Sequence, residues 1–130
     1  MGNSMVVGKK IKKVLLIQPP AFCNNYRSDM NPNVPLGICY IGAMLEREGY
    51  QVKILDAFIE GWDQDTRVTP EVLLVGMPYD QIKTYIAAER PDAVGITSMF
   101  TMQKRNAHRV AAVVKEVDPS IVVVMGGAHP

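Results

Sequence analysis

The stretch Val14-Leu15-Leu16-Ile17-Gln18-Pro19-Pro20 decides the fold of this chain. Its apolar residues run into a polar residue and two prolines, which is typical of a short buried strand followed by a turn. Two later runs have the same form: Ala93-Val94-Gly95-Ile96 leads into Thr97-Ser98-Met99, and residues 121–125 lead into Gly126-Gly127-Ala128-His129. Because helical patterns separate these runs, they predict parallel strands joined by crossover helices. Ligands of such sheets bind beyond the carboxyl ends of the strands, where these interruptions lie.

The rest of the chain completes an alternation of strands and helices. Helical spacing covers residues 36–48, residues 79–90 and a third stretch after Thr101, while residues 52–55 form a further strand. The fold class is therefore α/β, with a flavodoxin-like (Rossmann-like), doubly wound parallel sheet of four main strands in the order 2-1-3-4. The fourth strand would leave a flat, apolar open edge, so we expect the sheet to be truncated before a fifth strand.

The first predicted helix has a clear apolar stripe and a clear end. Ile38, Ile41 and Leu45 recur at helical spacing and are expected to face the sheet. Gly49 follows the last helical residue, where a left-handed cap is favoured.

The connections divide the chain into a leader and one domain. Residues 1–12 are expected to be a flexible leader, and residues 13–130 a single α/β domain that is incomplete at its C-terminus. Residues 19–35 form a long loop rich in Pro and Asn, and loops of that length are commonly functional. Residues 58–70 are polar and irregular, and residues 72–75 are expected to form a minor strand.

Composition excludes several classes of function. The chain has 130 residues, 48% of them hydrophobic, and a net charge of +1, so neither nucleic acid nor an anionic membrane is an expected partner. No apolar stretch approaches the roughly 20 residues that span a membrane, and the N-terminus lacks a secretory pattern. Cys23 and Cys39 are too few for a disulfide framework, so they are expected to be free thiols in a reducing, cytoplasmic setting.

The common catalytic and nucleotide-binding motifs are absent from the sequence. The turn after the first strand, Gln18-Pro19-Pro20, lacks the glycines of a dinucleotide fingerprint, and there is no Walker A sequence. Gln18 and Thr97 stand where a phosphoacceptor receiver domain needs acidic residues. His108 is expected to be a partly exposed structural histidine, whereas His129, at a strand end, is better placed to touch a ligand. No catalytic residue and no metal ligand is predicted.

What remains at the strand ends is uncharged and rich in main chain. Gly126-Gly127 would allow the close approach of a bulky ligand, because glycine has no side chain. Thr97 and Ser98 offer hydroxyl groups, and Met99 offers apolar surface. These strand ends suit a large, flat, mostly apolar ligand that carries a few polar groups. The alternative is that Gly126-Gly127 is only a turn and Thr97-Ser98 only begins a helix.

Taken together, the segments resemble the N-terminal cobalamin-binding domain of cobalamin-dependent radical S-adenosylmethionine enzymes. The matching segments are residues 14–20, 35–45, 49–57, 91–98 and 124–130. Their order and spacing carry the resemblance, since no single segment is diagnostic. It covers nearly everything after residue 12, and residues 58–77 are its clearest gap.

The resemblance implies a cofactor and the residues that would hold it. In that family the corrin ring lies over the carboxyl edge of the sheet, and its nucleotide tail enters a groove between strands. The implied cofactor-binding residues are Gln18, Pro19, Pro20, Ala21, Leu36 and Gly37 beside the ring, and Thr97, Ser98, Met99, Gly126, Gly127 and Ala128 along the tail. Pro19-Pro20-Ala21-Phe22 replaces the Asp-x-His-x-x-Gly loop of related domains, so the benzimidazole tail is expected to be displaced with no protein histidine on cobalt.

The same resemblance implies a larger parent enzyme. In the family, a following barrel domain holds a four-iron four-sulfur cluster and S-adenosylmethionine, and the chemistry is methyl transfer or, in some members, an anaerobic ring cyclisation. Two other functions stay open from the residues alone. One is a non-catalytic, flavodoxin-like module for protein interaction or small-ligand sensing, and the other is half of a sugar-nucleotide or similar transferase.

Overall fold

A computed structural model describes residues 5–6, 9–24, 35–98 and 103–127 of the chain. The strands are β1 (Lys13–Gln18), β2 (Ala21–Asn24), β3 (Gln51–Asp56), β4 (Asp65–Thr69), β5 (Val72–Val75), β6 (Ala93–Thr97) and β7 (Val122–Gly126). The helices are α1 (Leu36–Arg47), α2 (Ala57–Glu60), α3 (Tyr79–Glu89) and α4 (Lys104–Val117). A short antiparallel hairpin, Met5–Val6 with Lys9–Lys10, precedes β1.

The main sheet confirms the predicted topology. Its four strands run in the order β3-β1-β6-β7 and pair in parallel throughout, which is the order 2-1-3-4 expected for a flavodoxin-like sheet. β1 is paired along both of its edges. Its apolar run is also buried on both faces of the sheet, as strands of parallel sheets usually are.

Helices cover both faces of this sheet, as a doubly wound fold requires. On one face, Leu15 and Ile17 of β1 pack with residues of α3 and α4 such as Ile86 and Val110, all of them fully buried. On the other face, Val14 and Leu16 pack in a second cluster that includes residues of α1. The alternation of side chains along β1 thus divides the core into two layers.

The α1 helix differs from its predicted packing at one residue. Ile38 is buried and Leu45 packs against the same cluster, but Ile41 is 50% exposed, so placing it on the inward stripe was wrong. The buried residue in that turn is Gly42, which lies about 100° further around the helix than Ile41. The predicted cap is confirmed, because Gly49 has a positive φ of 97° just after the helix.

Two stretches predicted to be irregular form a second, antiparallel sheet. Ala21–Asn24, in the expected loop of residues 19–35, is strand β2, and Asp65–Thr69, in the expected irregular stretch, is strand β4. Both pair with Val72–Val75, so the minor strand predicted there is confirmed. The sequence hid β2 and β4 because neither buries an alternating apolar face; β4 is exposed at every residue. Residues 25–34 of the expected loop lie outside the described residues.

The packed region also reaches into the expected leader. Ile11 is buried and belongs to the same cluster as Val14, Leu16 and Ile38. The core therefore includes a side chain that precedes the expected domain start at residue 13. Among the described residues, no helix combines the length and apolar character needed to cross a membrane.

The reassignment of Ile41 predicts a sharp contrast between two isoleucines of one helix. Ile38→Ala removes buried methyl groups and leaves a cavity, so it is expected to lower the free energy of unfolding by about 2–5 kcal/mol. Ile41→Ala acts at a half-exposed residue and is expected to cost less than about 1 kcal/mol. Urea denaturation followed by circular dichroism measures both. Equal losses in the two variants would contradict the packing described for α1.

Candidate functional site

The parallel register brings four strand ends into one row. Gln18 of β1 pairs with Asp56 of β3, and Thr97 of β6 pairs with Gly126 of β7. The β1–β6 ladder brings the pairs side by side, because Gln18 and Thr97 each come one residue after its last matched pair. Side chains alternate along a strand, so all four end residues belong to the face on which α1 packs. This row at the carboxyl edge is the candidate site.

The first pair in the row is a fixed polar contact. The Gln18 side-chain amide donates a hydrogen bond to Asp56 Oδ1 at 3.0 Å, and the same oxygen accepts the Ile59 main-chain N–H at 3.0 Å. Asp56 thereby caps α2. Partial burial raises the pKa of the Asp56 carboxyl above its ordinary value of 3.8, although these hydrogen bonds oppose the shift. The site thus begins with an amide that is held in place by a partly desolvated carboxylate.

The second pair ends on two glycines with different surroundings. The Ser98 N–H donates to the Gly126 carbonyl at 2.7 Å, which extends the β6–β7 ladder by one step. Gly127 has a φ of 104°, and a Cβ there would lie 2.7 Å from the Ser98 carbonyl oxygen. Only glycine fits that turn. A Cβ at Gly126 would meet no atom of the described residues within 4 Å, so main chain at this residue is open with respect to that part of the chain.

The sheet behind this pair presents small or exposed side chains on the α1 face. Gly95 pairs with Val124, and Val124 is 60% exposed. Ser98 is almost completely buried, whereas Thr97 is half-buried. Among the described residues, the Gly95–Val124 pair therefore forms an apolar floor next to the Thr97–Gly126 pair.

The expected ring-bordering residues fall into two groups. Pro19 and Pro20 are buried, and Ala21 is half-buried at the start of β2, so this segment supports the edge of the sheet from within. Leu36 and Gly37 are exposed in the first turn of α1. Because α1 returns the chain from the carboxyl end of β1 to the amino end of β3, that turn lies at the same edge as the row.

Some expected site residues lie outside the described residues: Met99, Ala128 and His129. His108 is exposed on α4, and Cys23 and Cys39 form no disulfide within the described residues. Within the described parts of the chain, no group of three or more His, Cys, Asp or Glu side chains could hold a metal ion.

Sequence reasoning missed a buried polar network at the start of α4. Asn106, on the inner side of α4, is completely buried, and its Nδ2 donates to Gln103 Oε1 at 2.9 Å. The Tyr79 hydroxyl donates to Asn106 Oδ1, and burial raises the pKa of Tyr79 to about 12, against the opposing charge of Arg109. The one signal in the sequence was a polar residue at an inward helical position, since Asn106 falls on the same stripe as Val110 and Val113.

The raised pKa of Asp56 predicts a pH dependence of stability. A carboxyl whose pKa is higher in the folded state stabilises the fold below the unfolded-state value of 3.8, and that contribution is lost as pH rises through the folded-state pKa. In Asp56→Asn, the amide oxygen still accepts from Gln18 and Ile59 but carries no charge. Melting temperatures at about pH 4 and about pH 7 should therefore show the variant gaining on the wild type as pH rises. A wild type that gains on the variant over this range would contradict the assignment.

Comparison with known proteins gives this geometry a context. The model of the B12-binding domain family matches residues 28–130 of the chain. Cytidylyl-2-hydroxyethylphosphonate methyltransferase from Streptomyces wedmorensis is 39% identical over 124 residues, which are 93% of this chain and 23% of that protein. An uncharacterized methyltransferase from Pyrococcus horikoshii is 32% identical over 120 residues, 92% of this chain and 22% of that protein.

A third relative has a different printed activity. Anaerobic magnesium-protoporphyrin IX monomethyl ester cyclase from Rubrivivax gelatinosus is 30% identical over 95 residues, 73% of this chain and 14% of that protein. The chain thus spans less than a quarter of the length of each of these relatives. The family match includes α1 and three of the four strands of the parallel sheet, together with Thr97 and Gly126 of the row. This chain is a member of the B12-binding domain family.

Proposed function

We propose that this domain binds cobalamin against the α1 face of its carboxyl edge and presents it within a larger methyltransferase of the radical S-adenosylmethionine type. Membership of the B12-binding domain family supports the cofactor. The observation that carries the binding site is the open main chain at Gly126, which lies level with Thr97 in the row of strand ends.

The residues of the row fit a large, neutral cofactor with amide groups. Gly126 gives a flat ligand access to main chain, and the Thr97 hydroxyl can both donate and accept hydrogen bonds. The Gln18 amide, held by Asp56, offers a second polar group whose position is fixed. Leu36 and Gly37 would border the ring, and the floor near Val124 would lie along the tail. These groups recognise shape and hydrogen-bonding pattern and add little charge.

The proposed binding mode has no protein histidine on cobalt. The segment after β1 is Pro19-Pro20-Ala21-Phe22, in which both prolines are buried and Ala21 and Phe22 enter β2. That segment therefore offers cobalt no imidazole, which supports a cofactor whose lower face is left without a side-chain ligand from this loop.

The chain's own residues would bind and orient the cofactor, and the chemistry would belong to the cofactor and the rest of the enzyme. When bound, cobalamin can carry a methyl group on cobalt and transfer it to an acceptor. Two relatives named as methyltransferases support methyl transfer, and the cyclase leaves ring formation as the alternative. Because these relatives are more than four times as long as the matched region, we place a barrel domain with a four-iron four-sulfur cluster and S-adenosylmethionine in the parent enzyme. Two cysteines that form no disulfide within the described residues suit a cytoplasmic location.

A second candidate function is a non-catalytic interaction module. It is favoured by apolar side chains on the outer side of α1, where Leu36, Tyr40 and Met44 recur every four residues and are 62%, 71% and 64% exposed. An exposed apolar stripe of this kind is typical of a surface that contacts another protein. This candidate requires no cofactor, so corrin binding discriminates between the two.

The first test is retention of cobalamin by the purified chain. After incubation with hydroxocobalamin and desalting, the protein is expected to keep the visible absorption of the corrin in about one equivalent, as a single site requires. Far-ultraviolet circular dichroism of the same sample checks the fold, and a heat-unfolded sample gives the background. A folded chain that elutes colourless would overturn the proposal and favour the interaction module.

The second test fills the open space at Gly126. Gly126→Val adds a branched side chain where a Cβ meets no atom of the described protein, so the fold should persist while the ligand is displaced. The dissociation constant for hydroxocobalamin is expected to rise by at least about tenfold, equivalent to about 1.4 kcal/mol. Ala88→Val places the same branched side chain on an exposed turn of α3 and should leave binding unchanged. Unchanged binding in Gly126→Val would place the cofactor elsewhere.

A further inference from the structure

We propose that Gln103 is a positioning residue for the cofactor site: its side-chain amide ties β2 to the start of α4 and so fixes the short segment that joins the end of β1 to β2. The inference rests on the proposed function, because it concerns the same site. It arises from hydrogen bonds that no motif in the sequence indicated.

Gln103 holds the main chain of Phe22 by two hydrogen bonds. The Phe22 N–H donates to Gln103 Oε1 at 2.9 Å, and Gln103 Nε2 donates to the Phe22 carbonyl at 3.2 Å. A side-chain amide that donates to and accepts from one residue mimics the pairing of a neighbouring strand. We call this contact the clasp. It joins residues that are 81 positions apart in the chain.

The Gln103 side chain of the clasp is itself fixed by a second hydrogen-bonded residue, Asn106. Asn106 Nδ2 donates to the same Gln103 Oε1, and Asn106 Oδ1 accepts from the Tyr79 hydroxyl. Asn106 is completely buried, and the Arg109 guanidinium lies 5.6 Å from the centre of the Tyr79 ring. A buried amide with both ends occupied has no water to replace a lost partner, so the Gln103 side chain is held in one orientation.

The location of the clasp gives it a function beyond packing. Phe22 comes four residues after Gln18, and Gln103 comes five residues after Ser98. Gln18 and Thr97 occupy adjacent strands, so the Phe22 end of the clasp lies close along the chain to the row of strand ends. The opposite edge of β2 is paired with β5, which ties that segment to the antiparallel sheet. Loss of the clasp would therefore loosen the segment after β1 without disturbing the parallel sheet.

The test variant is Gln103→Met, which keeps the length of the side chain and removes its three hydrogen bonds. Its dissociation constant for hydroxocobalamin is expected to rise about tenfold, and the visible circular dichroism of the bound corrin should change, because a looser site holds the ring in more than one orientation. Gln103→Glu keeps the acceptor for Phe22 and Asn106 but loses the donor, so it should bind with intermediate affinity. It also covers the case in which Gln103→Met does not fold.

Two controls separate positioning from stability. Ile86→Val loosens the core beneath α3 away from the clasp, and Gln81→Met breaks an exposed glutamine pair with Gln64. Both should keep the affinity and the corrin dichroism of the wild type, whatever their melting temperatures. The inference fails if Gln103→Met binds like the wild type, or if Ile86→Val weakens binding as much. A wild type that binds no hydroxocobalamin would overturn the proposed function and this inference with it, and that outcome is distinct from either variant result.

Discussion

The pairing of β1 on both sides is the constraint on which the rest of the structure depends. Leu15 and Ile17 are completely buried on one face, and Val14 and Leu16 are buried on the other. A one-residue slip of this strand would move each set of side chains to the opposite face, and Gln18 would then no longer pair with Asp56. Because both faces are packed, the register is fixed, and Gln18 arrives level with Asp56 on one side and beside Thr97 on the other. The candidate site is a consequence of how the core packs.

The Gly126-Gly127 dipeptide shows how one short turn can meet two demands. Gly127 is required by the fold. Its φ is positive, and a Cβ at this residue would lie only 2.7 Å from the Ser98 carbonyl oxygen, so a side chain does not fit. Gly126 meets neither constraint among the described residues, since its φ is ordinary and a Cβ there would have no described atom within 4 Å. A glycine that these contacts do not require is compatible with the close approach of a ligand. The turn interpretation therefore applies to Gly127, and the ligand interpretation of Gly126 belongs to the proposed function.

The sequence predicted the features that depend on apolar periodicity and missed those that depend on partners far along the chain. The four parallel strands, their order and the cap at Gly49 followed from local patterns, and the structure bears them out. Strand β2 could not be predicted, because it exists through pairing with β5 some 50 residues later and buries no alternating face. Gln103 was missed because its hydrogen bonds to a distant main chain leave no spacing to detect, whereas Asn106 stood as a polar residue on an inward helical stripe. The prediction that Ile41 faces inward was off by one residue along the helix, and apolar periodicity does not fix positions more finely than that.

The polar groups of the described site are fixed by hydrogen bonds to neighbouring residues, an arrangement that suits the cofactor binding proposed for this domain. Asp56 accepts hydrogen bonds from Gln18 and Ile59, and partial burial raises its pKa, so its charge is costly where it lies. Asp56 holds the Gln18 amide in place, and the buried Asn106 holds the Gln103 amide in place. In each pair, a hydrogen bond fixes the orientation of a neutral amide. Neutral amides and bare main chain discriminate by geometry, because each hydrogen bond contributes only about 1 kcal/mol and a displaced partner forfeits it. Under the proposed function, a cofactor bound in this way would be selected by its shape, so the affinity of the site would depend on how rigidly the segment after β1 is held.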